Sequence, residues 1–123
     1  MGWFLAHLIG DYLCQKDWMA QRKKMSSWVC LFHVVTYMLP FMLLAGWAWY
    51  QLLAVGIQHF IQDRTNIIVS YMKWSGNAAF AGPPCAPWSI FLVDNIVHIL
   101  FMAWVDAMFV IPGVGPWTSW GLF

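Results

Sequence analysis

Three histidine–aspartate pairs punctuate an otherwise apolar chain: His7 with Asp11, His59 with Asp63, and Asp94 with His98. Each pair is spaced i, i+4, which on a helix sets both side chains on one face about one turn apart. Imidazole nitrogens and carboxylate oxygens converging from several helices make the kind of site that binds Zn²⁺, Mn²⁺ or Fe²⁺, and helix-bundle cores are where such sites are built. An open coordination position in such a site lowers the pKa of a bound water and makes a nucleophile, as metal-dependent hydrolases do. His7, Asp11, His59, Asp63, Asp94 and His98 are therefore the candidate metal ligands, with Zn²⁺ the expected ion and Mn²⁺ or Fe²⁺ the alternatives. His33 stands in the second apolar segment and can reach the same region, where it or one carboxylate is the candidate general base. Gln15, one further turn beyond Asp11, and Arg64, next to Asp63, are candidates to contact an anionic substrate or orient a carboxylate.

The order within the pairs matters. The first and third segments read His-x-x-x-Asp, whereas the fourth reads Asp-x-x-x-His, and with four crossings the fourth helix runs antiparallel to the other two. The reversal cancels, so Asp11, Asp63 and Asp94 are expected in one layer and His7, His59 and His98 in a second layer about a turn deeper.

A bland reading stands beside this one. A lone histidine in a helix usually hydrogen-bonds a neighbour, and one His/Asp pair is more often a buried clasp than a ligand pair; for His33 alone the structural role is the commoner. Three pairs in mirrored order favour a functional polar site. An ionisable group at the bilayer centre costs about 3 kcal/mol or more on insertion scales, so seven of them call for mutual partners or a ligand. Lys16, Asp17 and Asp106 read as interfacial, the eight methionines as packing, and Arg22 to Lys24 as a topology signal.

The elements that must hold these residues are membrane helices. Of 123 residues, 62% are hydrophobic and 9% charged, far from the roughly quarter-charged make-up of a soluble domain. Ten Trp and nine Phe suit a bundle whose outside faces lipid and whose ends sit in aromatic belts. At ~20 apolar residues per crossing, four segments emerge, about 3–20, 28–47, 50–73 and 88–110. The fold expected is thus all-α, a polytopic bundle of four transmembrane helices forming a single domain over 1–123. Pro40 is a tolerated kink in the second segment. The first segment, with His7, Asp11, Gln15, Lys16 and Asp17, is the least apolar, and Arg64 interrupts the third.

Ser75 to Pro87 is rich in breakers and reads as the one long loop. Ile111 to Trp117 cannot continue a helix, and Trp117 and Trp120 suggest interfacial anchoring. Lys16, Arg22, Lys23, Lys24 and Lys73 place the first connection and the end of the third segment in the cytoplasm, with both termini outside. A net charge of +1 gives nucleic-acid binding no electrostatic support. Three cysteines without CxxC spacing suggest neither a disulfide framework nor a zinc knuckle, and the N-terminus lacks the cationic start of a removable signal peptide.

These residues resemble an uncharacterised family of small bacterial and phage membrane proteins, a domain of unknown function. The likeness rests on His7-Leu8-Ile9-Gly10-Asp11-Tyr12-Leu13-Cys14-Gln15 with Asp17-Trp18-Met19-Ala20 and Lys23, on His33, on His59-Phe60-Ile61-Gln62-Asp63, and on Asp94-x-x-x-His98. The resemblance implies four helices with a shared polar face, in a bacterial inner membrane or, if phage-encoded, a host membrane; it supplies no activity. The function expected from the residues is a metal-dependent intramembrane hydrolase of a lipid-linked or phosphate-containing substrate. Two rivals are an ion- or proton-transport or pore-forming protein, which needs a through-going polar stripe, and a membrane regulator acting through protein–protein contacts. The lipid bilayer is the expected surrounding, with a homo-oligomer or a membrane-protein partner to shield polar surface.

Overall fold

A computed structural model describes residues 2–108, so the expectations for the Ile111–Trp117 tail, for Trp120 and for the last two residues of the fourth segment lie outside the described residues. Among the described residues every regular element is helical: α1 (Gly2–Leu8), a π-helical turn (Ile9–Leu13), α2 (Asp17–Arg22), α3 (Ser27–Leu44), α4 (Trp49–Arg64), α5 (Ile67–Trp74) and α6 (Trp88–Met108).

Two of the four expected segments are each divided in two. The first ends where α1 loosens into the π turn, closed by a bond from the Cys14 N–H to the Ile9 carbonyl at 2.9 Å; Lys16 is then extended and α2 begins. The third breaks at Thr65, which is extended, before α5 starts. Hydropathy alone hides this break, because Ile67, Ile68 and Val69 resume the apolar run at once. The physical cause lies in the basic run: the Lys24 ammonium donates to the Thr65 carbonyl at 2.7 Å and to the Asp63 carbonyl at 3.4 Å, capping the unpaired C-terminal carbonyls of α4 where a cation is favoured. Arg64 turns back to bond Ser27 Oγ at 3.1 Å and the Lys24 carbonyl. Arg22 to Lys24 is therefore more than a topology signal, since two of its residues fasten α4 to the α2–α3 connection.

α3 is one unbroken helix through Pro40. Ser26 caps it by accepting the Val29 N–H at 3.5 Å, and Gly46, at φ 62°, takes the left-handed position just past its end that a Cβ would disfavour. Gln51 then reaches back to the Ala48 N–H at 2.9 Å to start α4. From Ser75 to Pro87 the chain runs in turns, as its breakers predict.

α1 packs on α3, α3 on α4, α4 on α6, and α6 closes back on α1. This four-cornered ring has an apolar plug of Ala6, Tyr37, Phe41, Val55, Met102 and Val105, all fully or almost fully buried. Outward-facing side chains are apolar as well, among them Leu39, Leu43, Phe91 and Leu100. Among the described residues two helices, α3 with 18 residues and α6 with 21, are long and apolar enough to cross a membrane.

Candidate metal centre

Polar side chains gather inside the ring at the end where α3 begins and α4 finishes. α1 supplies His7 and the π turn supplies Asp11; α3 supplies His33, α4 His59 and Asp63, and α6 Asp94 and His98. The four histidines are 0–1% exposed and Asp63 2%, while the Asp11 and Asp94 side chains keep 14% and 23%. The site is thus closed at its imidazoles and open at two of its carboxylates.

The π turn makes this possible. Gly10 lies so close to α3 that a Cβ there would stand 2.5 Å from Tyr37 Cδ2 and 2.9 Å from the Tyr37 carbonyl. Only glycine permits that approach without a shift of backbone, and a wider helical turn at such a point is a recurrent feature of functional sites.

At the centre, His33 Nε2 and His59 Nε2 lie 3.1 Å apart, and Asp63 Oδ2 stands 3.1 Å from the first and 3.0 Å from the second. Asp11 Oδ1 sits over the same two nitrogens, 3.4 Å from each. Donors arranged tetrahedrally around an ion with bonds of about 2.0–2.1 Å stand about 3.3–3.4 Å apart, so His33 Nε2, His59 Nε2 and Asp63 Oδ2 come close to the spacing of three ligands of one ion, and Asp11 Oδ1 has that spacing to the two imidazoles. Among the described residues three groups could hold a metal ion: His33, His59 and Asp63; Asp11, His59 and His98; and Asp63, Asp94 and His98. Asp11 Oδ1, His98 Nε2, His7 Nε2 and the Nδ1 atoms of His33 and His59 are buried without a hydrogen-bond partner, a costly state for polar groups unless a ligand engages some of them.

Around this centre lies a set of bonds that orients it. His7 Nδ1 is 2.9 Å from the Tyr37 hydroxyl, which donates to Met102 Sδ at 3.5 Å. The Tyr37 ring also stacks on His59 at 3.8 Å between centroids, and His59 stacks on His98 at 4.2 Å. Lys23 donates to Asp63 Oδ2 at 2.8 Å and to Gln15 Oε1 at 2.9 Å. Gln15 therefore meets the site through Lys23, and Arg64 points away from it to Ser27 and Lys24. His7, Asp11, His33, His59, Asp63, Asp94 and His98 are all brought together. Asp106 is partly buried at the far end, where it accepts the indole N–H groups of Trp3 at 3.1 Å and Trp47 at 2.8 Å.

Sequence reasoning passed over four contributors: Tyr37, Lys23, Gln58 and Gln62. Tyr37 follows His33 by four residues, and Gln58 and Gln62 bracket His59 on an apolar helix. Their signal was a neutral polar residue in register with an ionisable one.

The family model described as "Protein of unknown function (DUF3307)" matches residues 1–115. No curated protein and no solved structure matches the chain.

Proposed function

Because the chain belongs to the DUF3307 family, whose membership brings no activity with it, we propose from the site alone that this is a metal-dependent intramembrane hydrolase. Its substrate in this reading is lipid-linked and phosphate-containing, and its setting a bacterial inner membrane crossed four times. The observation that carries the reading is the near-equilateral triangle of His33 Nε2, His59 Nε2 and Asp63 Oδ2, with sides of 3.0–3.1 Å, set beneath Asp11 Oδ1. Three protein ligands with one open position is the pattern of catalytic zinc. A Zn²⁺ ion there would be held by His33, His59 and Asp63, and it would supply a Lewis acid able to make water a nucleophile near neutral pH.

The chain's own groups divide the remaining work. Asp11 Oδ1, buried without a hydrogen-bond partner beside His33 and His59, accepts the proton of the attacking water. Lys23, between Asp63 and Gln15, places a cation at the mouth to meet phosphate oxygens. Hydrolysis breaks the P–O bond to the leaving oxygen: the water oxygen ends on phosphorus, and the proton taken by Asp11 passes to the leaving oxygen.

The cations at the mouth support the choice of substrate. Lys24 and Arg64 meet at the end of α4, and paired cations draw that end of a membrane helix towards headgroup depth, where the phosphate of a lipid resides. Beyond the site the apolar plug of Tyr37, Phe41, Val55, Met102 and Val105 interrupts any polar route to the far end, which favours hydrolysis over transport.

The test is metal content and phosphate release together. Protein purified in detergent without chelator is expected to carry zinc and to liberate inorganic phosphate from a micellar lipid phosphomonoester or diphosphate. Chelation is expected to lower the melting temperature, since an ion at 100 times its Kd stabilises by about 2.7 kcal/mol. His59→Ala and Asp63→Asn are expected to lose both zinc and release. A parent protein that binds no divalent ion ends the proposal.

A further inference from the structure

The proton positions on one side of the site can be worked out from hydrogen-bond logic. Gln62 Nε2 lies 2.8 Å from the Asp94 carbonyl and 2.9 Å from Asp94 Oδ1. A backbone carbonyl only accepts, so Gln62 must present its NH₂ there and its Oε1 to the other side. That oxygen accepts from the NH₂ of Gln58, which leaves Gln58 Oε1 facing His98 Nδ1 at 3.2 Å. His98 Nδ1 must therefore carry the proton, and Nε2 is left with a lone pair.

That lone pair is buried and unpartnered. It faces Asp94 Oδ2 at 3.6 Å and Asp63 Oδ1 at 4.0 Å. With Asp94 ionised, two carboxylate oxygens and one acceptor nitrogen thus face each other with no proton among them, an arrangement that is repulsive until a cation or a proton enters. Asp63 Oδ1 belongs to the same carboxylate whose Oδ2 meets His33 and His59. We propose that Asp63 bridges two divalent cations, the second held by Asp63 Oδ1, Asp94 Oδ2 and His98 Nε2. The relay through Gln58 and Gln62 is what prepares His98 for it, as a hydrogen-bond acceptor on the far nitrogen prepares many metal-bound histidines. Asp11, which groups with His59 and His98, flanks both positions. A pair of ions about 3.5–4 Å apart clamps the attacking and leaving oxygens of an in-line displacement, which fits a phosphate ester as substrate.

This inference rests on the reading of the His33–His59–Asp63 centre as a cation site, and its test separates the two. The full chain in detergent is titrated with Mn²⁺, and bound metal per chain is measured with the electron paramagnetic resonance spectrum. Two equivalents with the spectrum of an exchange-coupled pair are expected. Asp94→Asn is expected to keep one equivalent and lose the coupling, and Gln62→Leu to weaken only the second equivalent by about 10- to 100-fold. A parent that saturates at one uncoupled ion overturns the bridged pair and leaves the first centre standing, and a parent that binds none overturns both. Should either variant fail to elute as a single folded species, the stoichiometry and coupling of the parent decide alone.

Discussion

Lys23 and Asp63, forty residues apart in the chain, meet at 2.8 Å, and they do so with the carboxylate 2% exposed and the ammonium side chain 16%. A buried carboxylate that already faces two imidazoles is thereby given a fixed positive neighbour from α2's end, and the connection that carries Lys23 is drawn across the mouth of the bundle.

Removing that neighbour should be felt most when no metal is bound. Breaking a buried ion pair from one side costs about 3–5 kcal/mol, and the solvent access of Lys23 puts Lys23→Met at or below the lower end of that range. The expected result is a lower melting temperature in chelator, with added Zn²⁺ recovering more stability in the variant than in the parent because the ion replaces the lost charge. Equal melts of variant and parent in chelator would remove Lys23 as the counter-charge of Asp63.

Much of the site could be read from the chain because ionisable residues are scarce in apolar helices and their four-residue spacing is a local property. His7, Asp11, His59, Asp63, Asp94 and His98 needed only helical geometry and one reversal of direction. Lys23 needed the tertiary fold: nothing in a run of three basic residues says that the middle one turns inward while its neighbour caps α4. Tyr37, Gln58 and Gln62 were missed for a related reason, since neutral polar side chains cost less to bury than ionised ones and stand out less from packing residues. The helical class followed from composition; the polar run of Gln15, Lys16 and Asp17 marked the first segment as the least apolar without fixing where it breaks, and the break at Thr65 was hidden because apolar residues resume at Ile67.

Two glycines test the close approach of the π turn to α3. At Gly10 an added Cβ would meet the Tyr37 ring and carbonyl at 2.5 and 2.9 Å, so Gly10→Ala must push backbone apart; overpacking of this kind costs about 1–3 kcal/mol. The shift would carry Asp11 away from His33 and His59, so metal affinity should fall along with the melting temperature. At Gly56 the same Cβ would touch Val34 and Met38 side chains at 3.7–3.8 Å, ordinary contact. Gly56→Ala is expected to be neutral or to stabilise α4 by roughly 0.5–1 kcal/mol through lower backbone entropy in the unfolded chain. Thermal melts and zinc titration of the two variants side by side check the contrast.

Asp106 offers a test of the opposite end. Its two carboxylate oxygens accept separate indole N–H groups, Oδ2 from Trp3 on α1 and Oδ1 from Trp47 on the α3–α4 turn, so one side chain of α6 ties three parts of the ring. A hydrogen bond to a charged acceptor contributes about 1.5–3 kcal/mol, and partial solvent access at Asp106 sets each of these near or below the low end. Asp106→Ala should lose both bonds. Asp106→Asn keeps one carbonyl oxygen and turns its NH₂ towards the other indole, so its destabilisation should be about half as large. The plug of Phe41, Val55, Met102 and Val105 separates this clasp from the histidines, and bound metal should therefore stay at the parental level in both variants. Melting temperature and zinc content measured on the same preparations check both parts. A loss of zinc at folded Asp106→Asn would show that the two ends are coupled through the plug.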